Sequence, residues 1–176
     1  MSFIIWMTGL PCSGKSTIAK KLSEQIPNLA ILDGDEMREL ISPNEDFSRG
    51  GIINHNKKVA NIAKLLLDNN VSVCVSKISP FIENREDARK ILTNHRFLEV
   101  YVKCPVDSCE KRDVRGMYKQ ARNGKIDNFI GIHVTYEPPI KPELTVDTEN
   151  STISYSAQEI LDYLHKNKLI KNTKAF

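Results

Sequence analysis

Nowhere does the chain string together the roughly 20 apolar residues that a membrane-spanning helix needs, which excludes such a helix. The N-terminal run MSFIIWMTGLPCSGKST has neither the basic start nor the long apolar stretch of an export signal, so a cytoplasmic protein is expected. Cysteine is sparse. Cys12, Cys74, Cys104 and Cys109 form no pair of metal-ligand spacings, and Cys104 and Cys109 have neither a second Cys pair nor a nearby His. Free thiols are therefore expected, with Cys74 in VSVCVS acting as a small buried hydrophobe. A large excess of one charge is also missing. The net charge of +3 is too small to argue for nucleic acid, and an anionic small molecule accounts for it equally well. There is no internal repeat and no low-complexity segment. Of 176 residues 40% are hydrophobic and 27% charged, which supplies a core and excludes a disordered chain. That length suits a single domain spanning 1–176.

Short β-like runs alternate with helical stretches. FIIWM (Phe3 to Met7) is apolar throughout, as expected of a strand covered on both faces. Helical periodicity follows in STIAKKLSEQI and stops at Pro27. Further strands are read at Leu29–Leu32, Val71–Ser76, Arg96–Val102 and Leu144–Thr148. Further helices are read from Val59 onward, in ENREDARKIL, and after Pro105, which suits a first helical turn. The last helix is expected to open on a capping box of Ser156 and Glu159. Arg112 to Lys125 is rich in Lys, Arg and Gly and reads as a mobile charged segment. The alternation predicts an α/β fold, a parallel β-sheet with helices on both faces.

The strongest signal is GLPCSGKS, Gly9 to Ser16, which fits G-x-x-x-x-G-K-S between a predicted strand and a predicted helix. Gly9 and Gly14 let the backbone curl so that successive N–H groups, those of Pro11's neighbours Cys12 and Ser13 included, face one concavity. The following helix adds its positive end near Lys15, Ser16 and Thr17. Lys15 is placed to reach the β- and γ-phosphates of ATP, and the Ser16 hydroxyl to hold Mg²⁺. Cys12 sits among those N–H dipoles, which would lower its pKa and open a redox role, although simple loop filler is the commoner use. No N-K-x-D motif marks guanine recognition, and the chain is short for a motor core, so a small-molecule kinase fits best.

GLPCSGKST, LDGDEMR, FS, ISPF, VYVKCPVDSCEKRDVRGMYKQARNGKIDNFIGI and YEPP, in this order from Phe3 to Thr148, together resemble the adenylylsulfate kinases. The resemblance implies a P-loop kinase fold with a basic lid (about 112–130) and usually a homodimer. It implies transfer of the ATP γ-phosphate to the ribose 3′-hydroxyl of adenosine 5′-phosphosulfate, with Mg²⁺. It makes Asp35 the carboxylate beside the acceptor hydroxyl, and Lys15 and Asp35 the catalytic pair. Asp33 would help the magnesium shell through water or shape its turn. Arg38 would contact the substrate phosphate, and Phe47 and Phe129 would sandwich the base. Ile78 and Ser79 would line the acceptor, with Ser79 hydrogen-bonding it. Arg112, Arg115, Lys119 and Arg122 would be the lid cations, Arg112 and Arg115 over ATP and Lys119 reaching the acceptor.

The departures cluster. Where the family reads x-x-D-R-x-x-N-x-R after FS, this chain reads FSRGGIINHNK, placing Gly51, Ile52, His55 and Lys57 at the Asp, Arg, Asn and Arg positions. His133 replaces the acid of the family's GID. The ATP half thus keeps its pattern while the acceptor half, at Ile52, His55 and His133, is rewritten. Base stacking tolerates any base, so edge contacts carry the change. The favoured expectation is therefore a changed acceptor such as the cytidine diphosphoramidate of capsule phosphoramidate biosynthesis. The alternative is adenylylsulfate itself, and a non-catalytic nucleotide-binding module is the reading from another class.

Overall fold

A computed structural model describes residues 2–171. Five strands form one sheet in the order β2-β3-β1-β4-β5, every neighbouring pair parallel. They are β1 (Phe3–Thr8), β2 (Ala30–Asp33), β3 (Val73–Ser76), β4 (Arg96–Lys103) and β5 (Leu144–Asp147). The helices are α1 (Lys15–Ser23), α2 (Gly34–Ile41), α3 (Arg49–Asp68), α4 (Ile82–Ile91), α5 (Val106–Lys111), α6 (Met117–Arg122) and α7 (Ile153–Lys166). The predicted α/β layering is what forms.

The central strand shows why. All six residues of β1 are buried. Side chains alternate across a strand, so Phe3, Ile5 and Met7 enter one apolar layer with Ile18 and Leu22 of α1 and Ile160 and Leu164 of α7. Ile4 and Trp6 enter the opposite layer with Val59, Ala63 and Leu67 of α3 and Ala88 of α4. A strand coated on both faces has to be apolar throughout. Full burial of each such side chain is worth about 1.5–3 kcal/mol, so β1 anchors both layers. A third apolar cluster lies over the carboxyl ends of the strands. It joins Leu10, Ile52, Phe81, Tyr118, Phe129 and Tyr136.

Three local expectations are corrected. The last helix opens on Thr152, whose hydroxyl accepts from Tyr155 N at 3.2 Å; Ser156 lies buried one turn inside it. The α3 helix begins ten residues before Val59, at Arg49, because Ser48 caps it by accepting from Gly51 N. The charged segment from Arg112 is not irregular. Residues Met117–Arg122 form α6, and Tyr118 and Ala121 pin it into the third cluster. Its sparse apolar residues fall on one side, and three or four of them suffice for so short an element.

Candidate active site

β1 ends at Thr8 and the chain turns through Gly9–Gly14 into α1. Gly9 passes so close to β4 that a methyl group there would stand 2.5 Å from the Val102 carbonyl oxygen. Gly14 has φ 100°, a left-handed backbone that suits glycine, and it sets the entry to α1. Lys15 folds back over the loop, donating to the carbonyls of Gly9 (3.0 Å) and Leu10 (2.7 Å) and to Ser13 Oγ (3.3 Å). Burial brings its ammonium pKa down to about 8. Ser16 Oγ donates to Asp33 Oδ2 at 2.6 Å and lies 3.1 Å from Ser76 Oγ. Asp33 has a second task, because its Oδ1 accepts from Asp35 N and caps α2. The cap is the turn-shaping role expected of it.

Two cavities open beside this loop. One, of about 520 Å³, is lined by Cys12, Gly14, Lys15, Ser16, Thr17 and Arg112, with Thr148, Ser151, Thr152 and Ile153 as the far wall. The other, of about 390 Å³, runs from Asp33, Asp35 and Arg38 past Phe47, Ile52 and His55 to Phe129. Both fall in the size range of small-ligand sites. They share Cys12, Lys15 and Ser16. A group held at that junction faces both cavities.

The hard oxygens of Ser16, Asp33 and Ser76 suit Mg²⁺, which takes few protein ligands and keeps water and phosphate around it. No cluster of three His, Cys, Asp or Glu exists among the described residues, so an all-protein cage is not the mode. When bound with ATP, Mg²⁺ supplies charge neutralisation at the phosphates.

In the second cavity, Asp35 lines the wall and its carboxylate pairs with Arg115 at 3.2 Å. Both partners are well exposed, so the pair is weak and readily exchanged. Arg38 donates to the Glu45 and Asp46 carbonyls and stacks on Phe47, its guanidinium carbon 4.3 Å from the ring centroid. Phe47 is 57% exposed, whereas Phe129 is buried edge-on against Tyr118 at 4.9 Å. Ile52 and Ile78 add apolar wall. Gly51 has its own reason. A side chain there would collide with the Asp46 carbonyl and carboxylate, so Asp46 fills that space.

Several expected contacts are redirected. Ser79 lines the cavity, but its hydroxyl is occupied: it accepts from Trp6 Nε1 (3.1 Å) and donates to Asn56 Oδ1 (2.9 Å), and the residue is 1% exposed. His133 is exposed and outside both cavities. Its Nδ1 accepts from Phe129 N at 3.3 Å, so it steadies the loop that carries Phe129. Arg112 alone of the lid cations reaches the first cavity, held by the Thr148 carbonyl at 2.6 Å. Arg115 faces the second cavity with Asp35, not the first. Lys119 is exposed and lines neither, and Arg122 is clamped to Glu110 at 2.8 Å. Pro11 lines the second cavity, and its carbonyl accepts from Tyr118. Gly9 and Ser13 shape the loop from beneath without lining either cavity. The Cys12 thiol is pushed up, not down, by burial and by Asp113, which removes the premise of a reactive thiolate.

The far wall of the first cavity escaped the sequence reading. Thr148 stands just past β5 and ties the loop to the sheet through Ser13 O (2.9 Å) and Lys103 O (3.2 Å). The signal was available, since ligands of open parallel sheets sit beyond the carboxyl ends of the strands. Lys77, just past β3, was missed for the same reason.

The model of the adenylylsulphate kinase family matches residues 1–147, most of the chain. The chain belongs to the adenylylsulfate kinase family. It is 40% identical over 173 residues to the adenylyl-sulfate kinase of Staphylococcus epidermidis, covering 96% of this chain and 87% of that one. Among solved structures it is similar to the Mycobacterium tuberculosis APS kinase in complex with AMPPNP and APS, with a TM-score of 0.88, 34% identity, and coverage of 93% and 97%. A gluconokinase from Sinorhizobium meliloti shares the fold alone, at a TM-score of 0.66 and 14% identity over 95% of each chain. This family member is therefore a P-loop phosphotransferase that uses ATP, normally with Mg²⁺, and phosphorylates a nucleotide hydroxyl. Of the two acceptors expected from sequence, these relatives carry the name of the second, adenylylsulfate. No helix among the described residues is long and apolar enough to cross a membrane.

Proposed function

We propose that this chain transfers the γ-phosphate of ATP to the ribose 3′-hydroxyl of adenylylsulfate, working as a cytoplasmic homodimer. The observation that carries this reading is the junction of two cavities at Lys15 and Ser16, with Asp35 on the acceptor side only. ATP fills the cavity walled by Arg112 and Thr148, and its γ-phosphate meets Lys15 at the junction. The acceptor enters past Phe47 and Phe129, which stack on its base. Asp35 leaves Arg115 and takes or orients the hydroxyl proton. Arg115 is then free to steady the transferring charge. Transfer is direct and in line, without a phosphoenzyme.

A second reading keeps this chemistry and changes the acceptor. It is favoured by Ile52 and His55, an apolar and a neutral side chain in the acceptor wall where the family pattern has Arg and Asn. A nucleotide such as cytidine diphosphoramidate, destined for capsule chemistry, is then the substrate. Steady-state ADP release with Mg-ATP decides between them, using adenylylsulfate, cytidine diphosphoramidate and other nucleoside diphosphate derivatives as acceptors. A wide margin for adenylylsulfate supports the first reading, and a wide margin for the cytidine compound supports the second. ADP release that no acceptor stimulates would leave a nucleotide-binding module. Light scattering checks the dimer.

A further inference from the structure

Lys77 follows β3 directly and its side chain lines the acceptor cavity. It is only 7% exposed. The start of α2 closes one side of it, since a methyl group on Gly34 would lie 2.9 Å from Lys77 Cβ. Among the described residues its Nζ has no hydrogen-bond or ion-pair partner. A buried amine without a partner is unfavourable, and proteins keep one where a ligand or a reaction uses it.

His55 lies close enough to feel that charge and is 1% exposed. Its Nδ1 is 3.0 Å from Ser42 Oγ, while its Nε2 is buried with no partner. With Ser42 donating to Nδ1, Nε2–H is left as a donor on the wall of the same cavity. Of the acids that line the cavity, Asp33 is engaged with Ser16, Asp35 with Arg115 and Asp113 through Oδ2 with Tyr118 N, while Asp113 Oδ1 has no partner and Asp127 is exposed. None forms an ion pair with Lys77. Arg38 is likewise held by backbone carbonyls and Phe47. The unmet groups on this largely apolar wall include Asp113 Oδ1, which repels an anion, and Lys77 Nζ and His55 Nε2, which can donate to an anionic oxygen.

We propose that Lys77 Nζ, with His55 Nε2 near it, binds the anionic phosphoryl group on the 5′ side of the acceptor nucleotide and selects acceptors that carry one. This rests on the reading of that cavity as the acceptor site. The anion gives Lys77 Nζ the partner it lacks in the fold.

The test is equilibrium binding to the full chain with a non-hydrolysable ATP analogue and Mg²⁺ held at saturation. Two pairs of probes are compared: adenosine 5′-phosphosulfate with adenosine, and CDP with cytidine. Wild type prefers the charged member of the productive pair. In Lys77→Met the charged member loses about tenfold or more in affinity, the usual scale for a hydrogen bond to a charged group, while the neutral nucleoside is unmoved. Lys77→Arg retains part of the preference. An unchanged charged-to-neutral ratio in Lys77→Met overturns the proposal. Should that variant fail to fold, protection of wild-type Lys77 from acetylation by the charged probe but not by the nucleoside supports it, and equal labelling overturns it. If the cytidine pair is the one that binds, the adenylylsulfate reading falls while the ratio still tests Lys77. If adenylylsulfate is the substrate and the ratio stays put, only the role of Lys77 falls.

Discussion

The two cavities that meet at Lys15 are built in different ways. The first takes half of its lining from one stretch, Cys12 to Thr17, and is closed by Arg112 and the segment from Thr148 to Ile153. The second draws on the P-loop, the start of α2, the Phe47 loop, α3, the end of β3 and the segment from Asp113 to Ile130. A loop that presents phosphate ligands through its own backbone can be recognised from a short sequence pattern. A pocket made of side chains from many segments cannot, because each contact depends on how distant parts pack.

This contrast can be broken or sharpened by mutation. The largest effect belongs to the junction: Lys15→Met should lower kcat/KM for phosphoryl transfer by about 10²–10³-fold, the scale of losing one preorganised charge contact. Turnover near wild type would mean that the two cavities do not meet there functionally. Next, Asp35→Ala should reduce kcat by about 10²-fold while leaving ATP affinity unchanged. A matching loss of ATP binding would move Asp35 to the donor side.

Ser79→Ala should act on stability instead of catalysis. It leaves Trp6 Nε1 and Asn56 Oδ1 buried and unpaired, so unfolding free energy falls by about 1–3 kcal/mol in urea titrations, with acceptor KM unchanged. A raised KM at native stability would restore the substrate contact that the structure denies it.

The smallest effect is a pH slope. Burial first, then Lys77 and Arg38, hold His55 at about 3 in the fold, against 6.5 when exposed. Between those values the unfolded chain binds the proton more readily, so the stability contributed by neutral His55 is complete above about pH 6.5 and lost as pH falls toward 3. Urea midpoints at pH 7 and pH 5 should therefore converge in His55→Gln relative to wild type. An identical slope in both proteins would show that His55 is not kept neutral.

Much of the fold was legible. FIIWM is apolar throughout and was read as a strand covered on both faces, VSVCVS and RFLEVYV were read as strands, and they became β1, β3 and β4. Legibility failed where one cue outranked a competing one. Ser156 and Glu159 fit a capping box, but Thr152 begins the helix first, because the chain leaving β5 reaches α7 one turn earlier. Basic residues concealed α6, whose few apolar side chains are enough because Phe129 and the third cluster receive them.

By itself, the sequence determined the parallel sheet and the phosphate loop with Lys15 and Ser16 in it, whereas Asp35 was placed only by the family resemblance. The sheet and the loop depend on local periodicity and on backbone geometry that glycine and a short motif dictate. Only the tertiary structure decided that Ser79 is claimed by Trp6, 73 residues away, that His133 serves Phe129 outside the cavity, and that Lys77 is buried in it without a partner. Each of those outcomes depends on which distant polar group arrives first, and a desolvated side chain must take whatever partner the packing supplies or wait for a ligand.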